Sequence, residues 1–150
     1  MVFRGSLHIA FTGTQEELTR VQKLSLHYAF VGMKEDNYQI TVHHGDCIGA
    51  DSCFHTIAYY AQARIEIHPT NIPGKRAYCY ERLHRMTTVV HPVKDPLVRN
   101  QIMIHSGRFL IAAPEGPEKL RSGTWSTIRF AIKMGKPVFI VWPNGELEER

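Results

Sequence analysis

Five short apolar runs set the frame of the chain: "LHIAFTG" (Leu7–Gly13), "YQITVHHG" (Tyr38–Gly45), "RIEIHP" (Arg64–Pro69), "RFLIAAP" (Arg108–Pro114) and "PVFIVWP" (Pro137–Pro143). Each is too short for an ordinary helix, carries β-branched or aromatic residues, and is closed by glycine or proline. Between them lie segments with apolar residues at helical spacing. Strands that are apolar on both faces need helices to cover both faces, which is the arrangement of a parallel α/β sheet. The pattern predicts a Rossmann-like three-layer sandwich with a mainly parallel sheet of about five strands in one domain over residues 1–150.

The helical segments have start signals of their own. Thr14 with Glu17 forms a capping-box pattern ahead of Leu18, Val21, Leu24 and Ala29. Asp51 is expected either to bind ribose hydroxyls or to be the N-cap of a helix whose buried stripe is Phe54, Ile57, Ala58 and Ala61. Further helices are expected near Leu97–Ser106 and Thr124–Met134, with a short helical pattern at Arg76–Leu83 and a small strand in "TTVVHP". No apolar stretch approaches the roughly 20 residues that span a bilayer, so no membrane partner is expected. The N-terminus holds one arginine and runs straight into a strand pattern, unlike a signal peptide. Cys47, Cys53 and Cys79 have no framework spacing, which points to reduced thiols and a cytoplasmic setting.

In sheets of this kind ligands bind beyond the carboxyl ends of the strands. The candidate loops are therefore "TGT" (Thr12–Thr14), "HHGDCIGAD" (His43–Asp51), "HPTNIPGKR" (His68–Arg76) and "PEGPEKLRSGTW" (Pro114–Trp125). Neither G-x-G-x-x-G nor G-x-x-x-x-G-K-[ST] occurs. Net charge is +4, and between Lys75 and Arg108 seven Lys/Arg stand against two acids, a surplus suited to phosphate. In "RSGTW", Gly123 would let an anion approach the backbone while Ser122 or Thr124 adds a hydroxyl. The same Ser and Thr would equally serve as plain helix caps. Gly13-Thr14 repeats the pattern at another strand end.

Arg99 offers a planar donor fork for phosphate, or a partner for Asp95 one turn earlier. Asn100 would donate to a sugar or brace the loop, Lys75 and Arg76 would close over an anion, and Trp125 would fill the core or stack on a base. His43, His44, Asp46, Cys47, Asp51, Cys53 and His55 are all metal-ligand types, but no C-x-x-C pair exists and the segment passes from strand to helix. No metal and no cofactor are expected from them. His55 is placed to pair with Asp51 or to pack. Cys47 has no accompanying His/Asn arrangement and is expected to be a loop thiol.

The order "FTGT", "HHGDCIGADSCFHTIA", "HP", "RNQIMIHSGRFLIAAP", "SGTWSTIRFAIKMGKPVFIVWPNG" resembles the SLOG superfamily over almost the whole chain. That superfamily joins the DNA-processing protein A family, which loads recombinase on single-stranded DNA, and the LOG family of cytokinin-ribotide phosphoribohydrolases. The resemblance implies a nucleotide site at Gly13 and Thr14, at Gly45, Asp46, Gly49 and Ala50, at Arg99 and Asn100, and at Ser122, Gly123 and Thr124. The LOG enzymes carry a catalytic glutamate three residues after the threonine of their glycine-rich motif. Thr127 stands there in this chain, while Arg99 matches their arginine.

The resulting expectation is binding of a small phosphorylated nucleotide derivative, such as a mononucleotide, an ADP-ribose-type molecule or a cyclic nucleotide signal, for sensing or sequestration. Phosphate would rest on Gly13, Thr14, Ser122, Gly123 and Thr124, with Arg99 neutralising it and Asp46 on the sugar. An N-glycosidase is the alternative, with Asp46, Glu115 or Glu118 supplying the missing carboxylate. Single-stranded DNA binding is another, drawing on the basic stretch with Tyr78, Tyr80 and Trp125. Related domains pair, so a homo-oligomer is expected.

Overall fold

β1 (Gly5–Gly13) is the central strand of a seven-stranded sheet. The computed structural model describes residues 3–82 and 88–150. After β1 come α1 (Arg20–Glu35), β2 (Tyr38–His44), α2 (Ala50–Tyr60), β3 (Arg64–Ile67), the single turn α3 (Cys79–Arg82) and β4 (Thr88–Val90). The second half holds α4 (Pro96–Ser106), β5 (Phe109–Ala113), α5 (Gly123–Lys133), β6 (Val138–Val141) and β7 (Leu147–Glu149). Strand order is β4-β3-β2-β1-β5-β6-β7, parallel throughout except for β7. Leu83, Arg85 and Thr87, which entered the sequence expectations, lie outside the described residues.

The two-residue period of the strands divides the core. Leu7, Ile9 and Phe11 of β1 and Ile111 and Ala113 of β5 pack with α1 and α2, where Phe11 stacks on Phe54 at 3.9 Å. Ala10, Leu110 and Ala112 face the other way, against α4 and α5 through Met103, Trp125 and Ile128. Helices on both faces make the three layers that continuously apolar strands require.

Three local expectations are corrected. The first helix starts five residues later than a Thr14 cap implies. Thr19 accepts Gln22 N–H at 3.1 Å and Gln22 Oε1 accepts Thr19 N–H at 3.0 Å, so the capping box is Thr19/Gln22. Gln22 also donates to Pro114 O and Val141 O, anchoring the helix start to two strand ends. With that shift Val21 and Leu24 turn to solvent, at 41% and 44% exposed, and Leu26 and Phe30 take the core. Asp51 is not a cap either, since Gly49 occupies that position with φ 88°. Finally, the sheet gains an antiparallel edge strand through a turn at Pro143-Asn144-Gly145, closed by Trp142 N–H to Glu146 O at 2.9 Å.

Thr19→Ala is expected to lower unfolding free energy by about 1 kcal/mol in urea titration. Glu17→Ala, which a cap at Thr14 would make costly, is expected to change stability little. A larger loss from Glu17→Ala than from Thr19→Ala would contradict the observed cap.

Candidate functional site

The chain runs outward in opposite directions from β1, with β2 on one side and β5 on the other. Strand order reverses there, so a crevice opens beyond the carboxyl ends of β1 and β5. Gly13 pairs with Ala113 in register, and Thr14 N–H donates to Ala113 O at 3.0 Å. Above them lies a cleft of about 360 Å³. Gly13, Thr14, Gly45, Arg99, Asn100, Ser122, Gly123 and Thr124 all line it, as do Lys75, Glu115, Lys119 and Arg121. Asp46, Gly49 and Ala50 do not.

α5 opens on the cleft. Ser122 caps it, accepting Trp125 N–H at 3.3 Å. The first N–H groups of any α-helix have no intrahelical acceptor and carry the positive end of its dipole. A Cβ built on Gly123 meets nothing within 4 Å, so this turn is open where Gly13 and Gly45 are crowded. At Gly13 a Cβ would come within 2.5 Å of the Ala50 Cβ, so that glycine lets β1 and α2 pack closely. Thr127 donates to Gly123 O at 2.9 Å and is 1% exposed. It sits inside the helix packing, outside the cleft lining. Trp125, 2% exposed, is a core side chain.

Arg99 is buried beneath the cleft, and its fork is already engaged. Nη1 donates to Gly45 O at 2.8 Å and His68 O at 3.2 Å, while Nε donates to Asn100 Oδ1 at 2.7 Å. A Cβ at Gly45 would lie 2.3 Å from Nη1, so a side chain there would displace the guanidinium. Arg99 therefore supplies positive charge to the cleft floor rather than a vacant bidentate fork. Asp95 is the N-cap of α4 and accepts from Leu97 and Val98 N–H.

The two aspartates of "HGDCIGAD" are structural in their contacts. Asp51 Oδ2 accepts Gly45 N–H at 3.0 Å and Cys47 N–H at 3.1 Å. Burial raises its pKa to about 6, against the pull of Arg99 and the two N–H donors. Asp46, fully buried, is salt-bridged to Arg76 at 3.1 Å and accepts Cys79 N–H at 2.9 Å. Arg76 also lies 4.4 Å over the Tyr78 ring, so of the two turn cations Lys75 is the one that reaches the cleft. Burial pushes the Cys47 thiol up to about 11, which keeps it protonated at neutral pH. Among the carboxylates weighed for catalysis, Glu115 lines the cleft, 3.5 Å from Thr14 Oγ1 and paired with Lys119. Glu118 is paired with Arg129 at 3.0 Å.

Behind the cleft the sheet carries histidines that the sequence did not connect. His8 and His43 share a hydrogen bond of 2.8 Å, and His43 and His68 one of 2.9 Å. His68 stacks on His91 at 4.3 Å, and His91 bonds Glu66 at 2.6 Å. His55 pairs with His44 at 2.8 Å instead of with Asp51. Asp46 N–H donates to His44 Nδ1, so the neutral His44 ring carries its proton on Nε2. Burial lowers His43 to about 4 and His68 to about 3, and holds His44 well below the usual imidazole range.

No protein-family model and no curated protein matches the sequence. Solved structures do match. DNA processing protein A from Streptococcus pneumoniae superposes with TM-score 0.66 over 89% of this chain at 20% identity. DNA processing protein A from Helicobacter pylori, described for its single-stranded DNA binding mode, gives 0.63 over 89% at 19% identity. The chain has the same Rossmann-like α/β fold as these proteins. A molybdenum cofactor binding protein from Rippkaea orientalis shares this fold with TM-score 0.65 over 91% of the chain at 17% identity. The chain spans 50% of the Streptococcus protein, 64% of the Helicobacter protein and 77% of the Rippkaea protein. Among the described residues no helix is long and apolar enough to cross a membrane.

The buried imidazoles set a pH dependence. Their folded pKa values lie below the ordinary 6.5, so the unfolded chain binds more protons. Their stabilisation is complete above about pH 6.5 and is lost as pH falls toward about 4 and about 3. Asp51, raised from 3.8 to about 6, acts in the opposite sense, its contribution fading as pH rises through about 6. Three imidazoles outweigh one carboxyl. The melting temperature in metal-free buffer is expected to fall steadily from pH 7 to pH 4. A rise between pH 6 and pH 5 would contradict this balance.

Proposed function

We propose that the cleft binds a small phosphorylated nucleotide derivative, with its phosphate on the Ser122-Gly123-Thr124 turn. One observation carries this: two glycine-hydroxyl turns from different strand ends, Gly13-Thr14 and Ser122-Gly123-Thr124, face the same cleft at the switch point. The volume of about 360 Å³ suits a compact ligand. Lys75, Arg99 and Arg121 line the cleft with positive charge, and among the described residues no carboxylate lies within ion-pair distance of Lys75 or Arg121. Asn100 and Glu115 are among the cleft groups that a sugar could reach. Asp46, committed to Arg76 and Cys79, is not among them.

Retention of an intact ligand would serve sensing or sequestration. The second reading, an N-glycosidase, now rests on Glu115, the one weighed carboxylate that lines the cleft. The chemistry requires a carboxylate beside the anomeric carbon to stabilise the developing cation or activate water. Strand binding of nucleic acid loses Trp125 as a stacking surface and retains Tyr78, 49% exposed.

The test is incubation with AMP, ADP-ribose and cyclic AMP, followed by mass spectrometry of the bound and free fractions. Intact ligand is expected in the bound fraction. Gly123→Asp, which has open space for its side chain and a favourable place at a helix start, is expected to keep the fold. It should weaken retention about tenfold or more, equivalent to about 1.4 kcal/mol. Retention unchanged by Gly123→Asp would remove the phosphate from this turn. Release of free base, abolished by Glu115→Gln, would make the protein a hydrolase.

A further inference from the structure

The histidine row across β1–β4 is a set of donors that the cleft does not use. Register explains how it forms. His43 stands opposite Ala10 of β1 and opposite Glu66 of β3, and Glu66 stands opposite Val89 of β4. Side chains two residues apart share a face, which brings His8, His68 and His91 onto the same side as His43 and Glu66. The parallel ladder thus gathers four imidazoles and one carboxylate that are remote in sequence.

Within this row, donor atoms of Glu66, His68 and His91 lie within 4.8 Å of one another. A tetrahedral ion with ligand bonds of about 2.0–2.1 Å needs donor separations of about 3.3 Å, a small adjustment of side chains already in place. Two imidazoles with one carboxylate suit zinc, cobalt or nickel, whereas calcium and magnesium require oxygen donors. The His68 ring is oriented by its 2.9 Å bond to His43, which is in turn bonded to His8, so an outer row holds the ligand in place. Entry is available, since the His91 side chain is 36% exposed and that of Glu66 23%.

Two other trios bring their donor atoms within 4.8 Å: His8, His43 and Glu66, where both His43 nitrogens are taken by His8 and His68, and His44, His55 and Cys79, which are all buried. In the buried trio His44 is already satisfied on both nitrogens by Asp46 N–H and His55.

We propose that Glu66, His68 and His91 form a binding site for one divalent transition-metal ion, with His43 as the residue that orients His68. None of the three ligands lines the cleft, so the site stands or falls independently of the nucleotide proposal.

The experiment uses the untagged full chain, stripped with chelator and titrated with Zn²⁺ by calorimetry and with Co²⁺ by absorption. One equivalent is expected to bind and to raise the melting temperature, because the ion binds the folded state. Glu66→Gln and His91→Gln are each expected to weaken binding about 100-fold, at or beyond the upper end of what losing an orienting partner causes. Both should melt like the parent in chelator, which separates ligand loss from misfolding. His105→Gln, an exposed histidine on α4, should bind as the parent does. The cobalt spectrum should show ligand-field bands without a thiolate charge-transfer band. Absence of saturable binding, binding indifferent to Glu66→Gln and His91→Gln, or a thiolate band placing the ion at Cys79 would each overturn the proposal.

Discussion

The guanidinium of Arg99 reaches from α4 under two strand ends and holds the carbonyls of Gly45 and His68. A buried cation is costly unless its donors are satisfied and a counter-charge is near. Both conditions hold here. The carbonyls, Asn100 and the Cys47 sulfur take its donors, while Asp51 grips the other side of the Gly45 loop through two N–H groups. The loop is clamped between a cation that holds its carbonyl and an anion that holds its amides. Its shape, and with it one wall of the cleft, depends on that clamp. The clamp in turn uses the bare backbone at Gly45, where a Cβ would lie 2.3 Å from Arg99 Nη1.

The clamp also joins the two regions of chemical interest. On its cleft side Arg99 adds charge beside the open first turn of α5. On its far side it holds the backbone of His68, whose ring belongs to the histidine row. The sheet thus carries a cleft lined with positive charge at its switch point and a row of histidines on adjacent strands. Proximity of the two follows from topology: both lie toward the carboxyl ends of β1, β2 and β3, where loops leave the sheet.

What the sequence made legible is what local pattern encodes. Continuous apolar runs specify strands buried on both faces, and glycine-hydroxyl loops after them mark the switch point. What it hid depends on partners remote in the chain. Asp51 reads as a cap because it precedes an apolar stripe, yet its carboxylate is drawn to the Gly45 loop by amides and by Arg99. Asp46 reads as a sugar ligand until Arg76 and Cys79 are folded against it. The Thr14/Glu17 pattern loses to Thr19/Gln22 because Gln22 also satisfies two strand-end carbonyls. The edge strand β7 is charged and short, and its signal was the Asn144-Gly145 turn alone. His8, His43, Glu66, His68 and His91 are each unremarkable in a strand pattern, and only register assembles them.

The most direct test of the account is to follow backbone amide resonances while titrating the protein with AMP. Amides of Gly123 and Thr124, with that of Thr14 across the cleft, are expected to shift first and saturate together. Shifts confined to the Arg76–Tyr78 surface, with the α5 N-terminus unmoved, would contradict a phosphate site at the switch point.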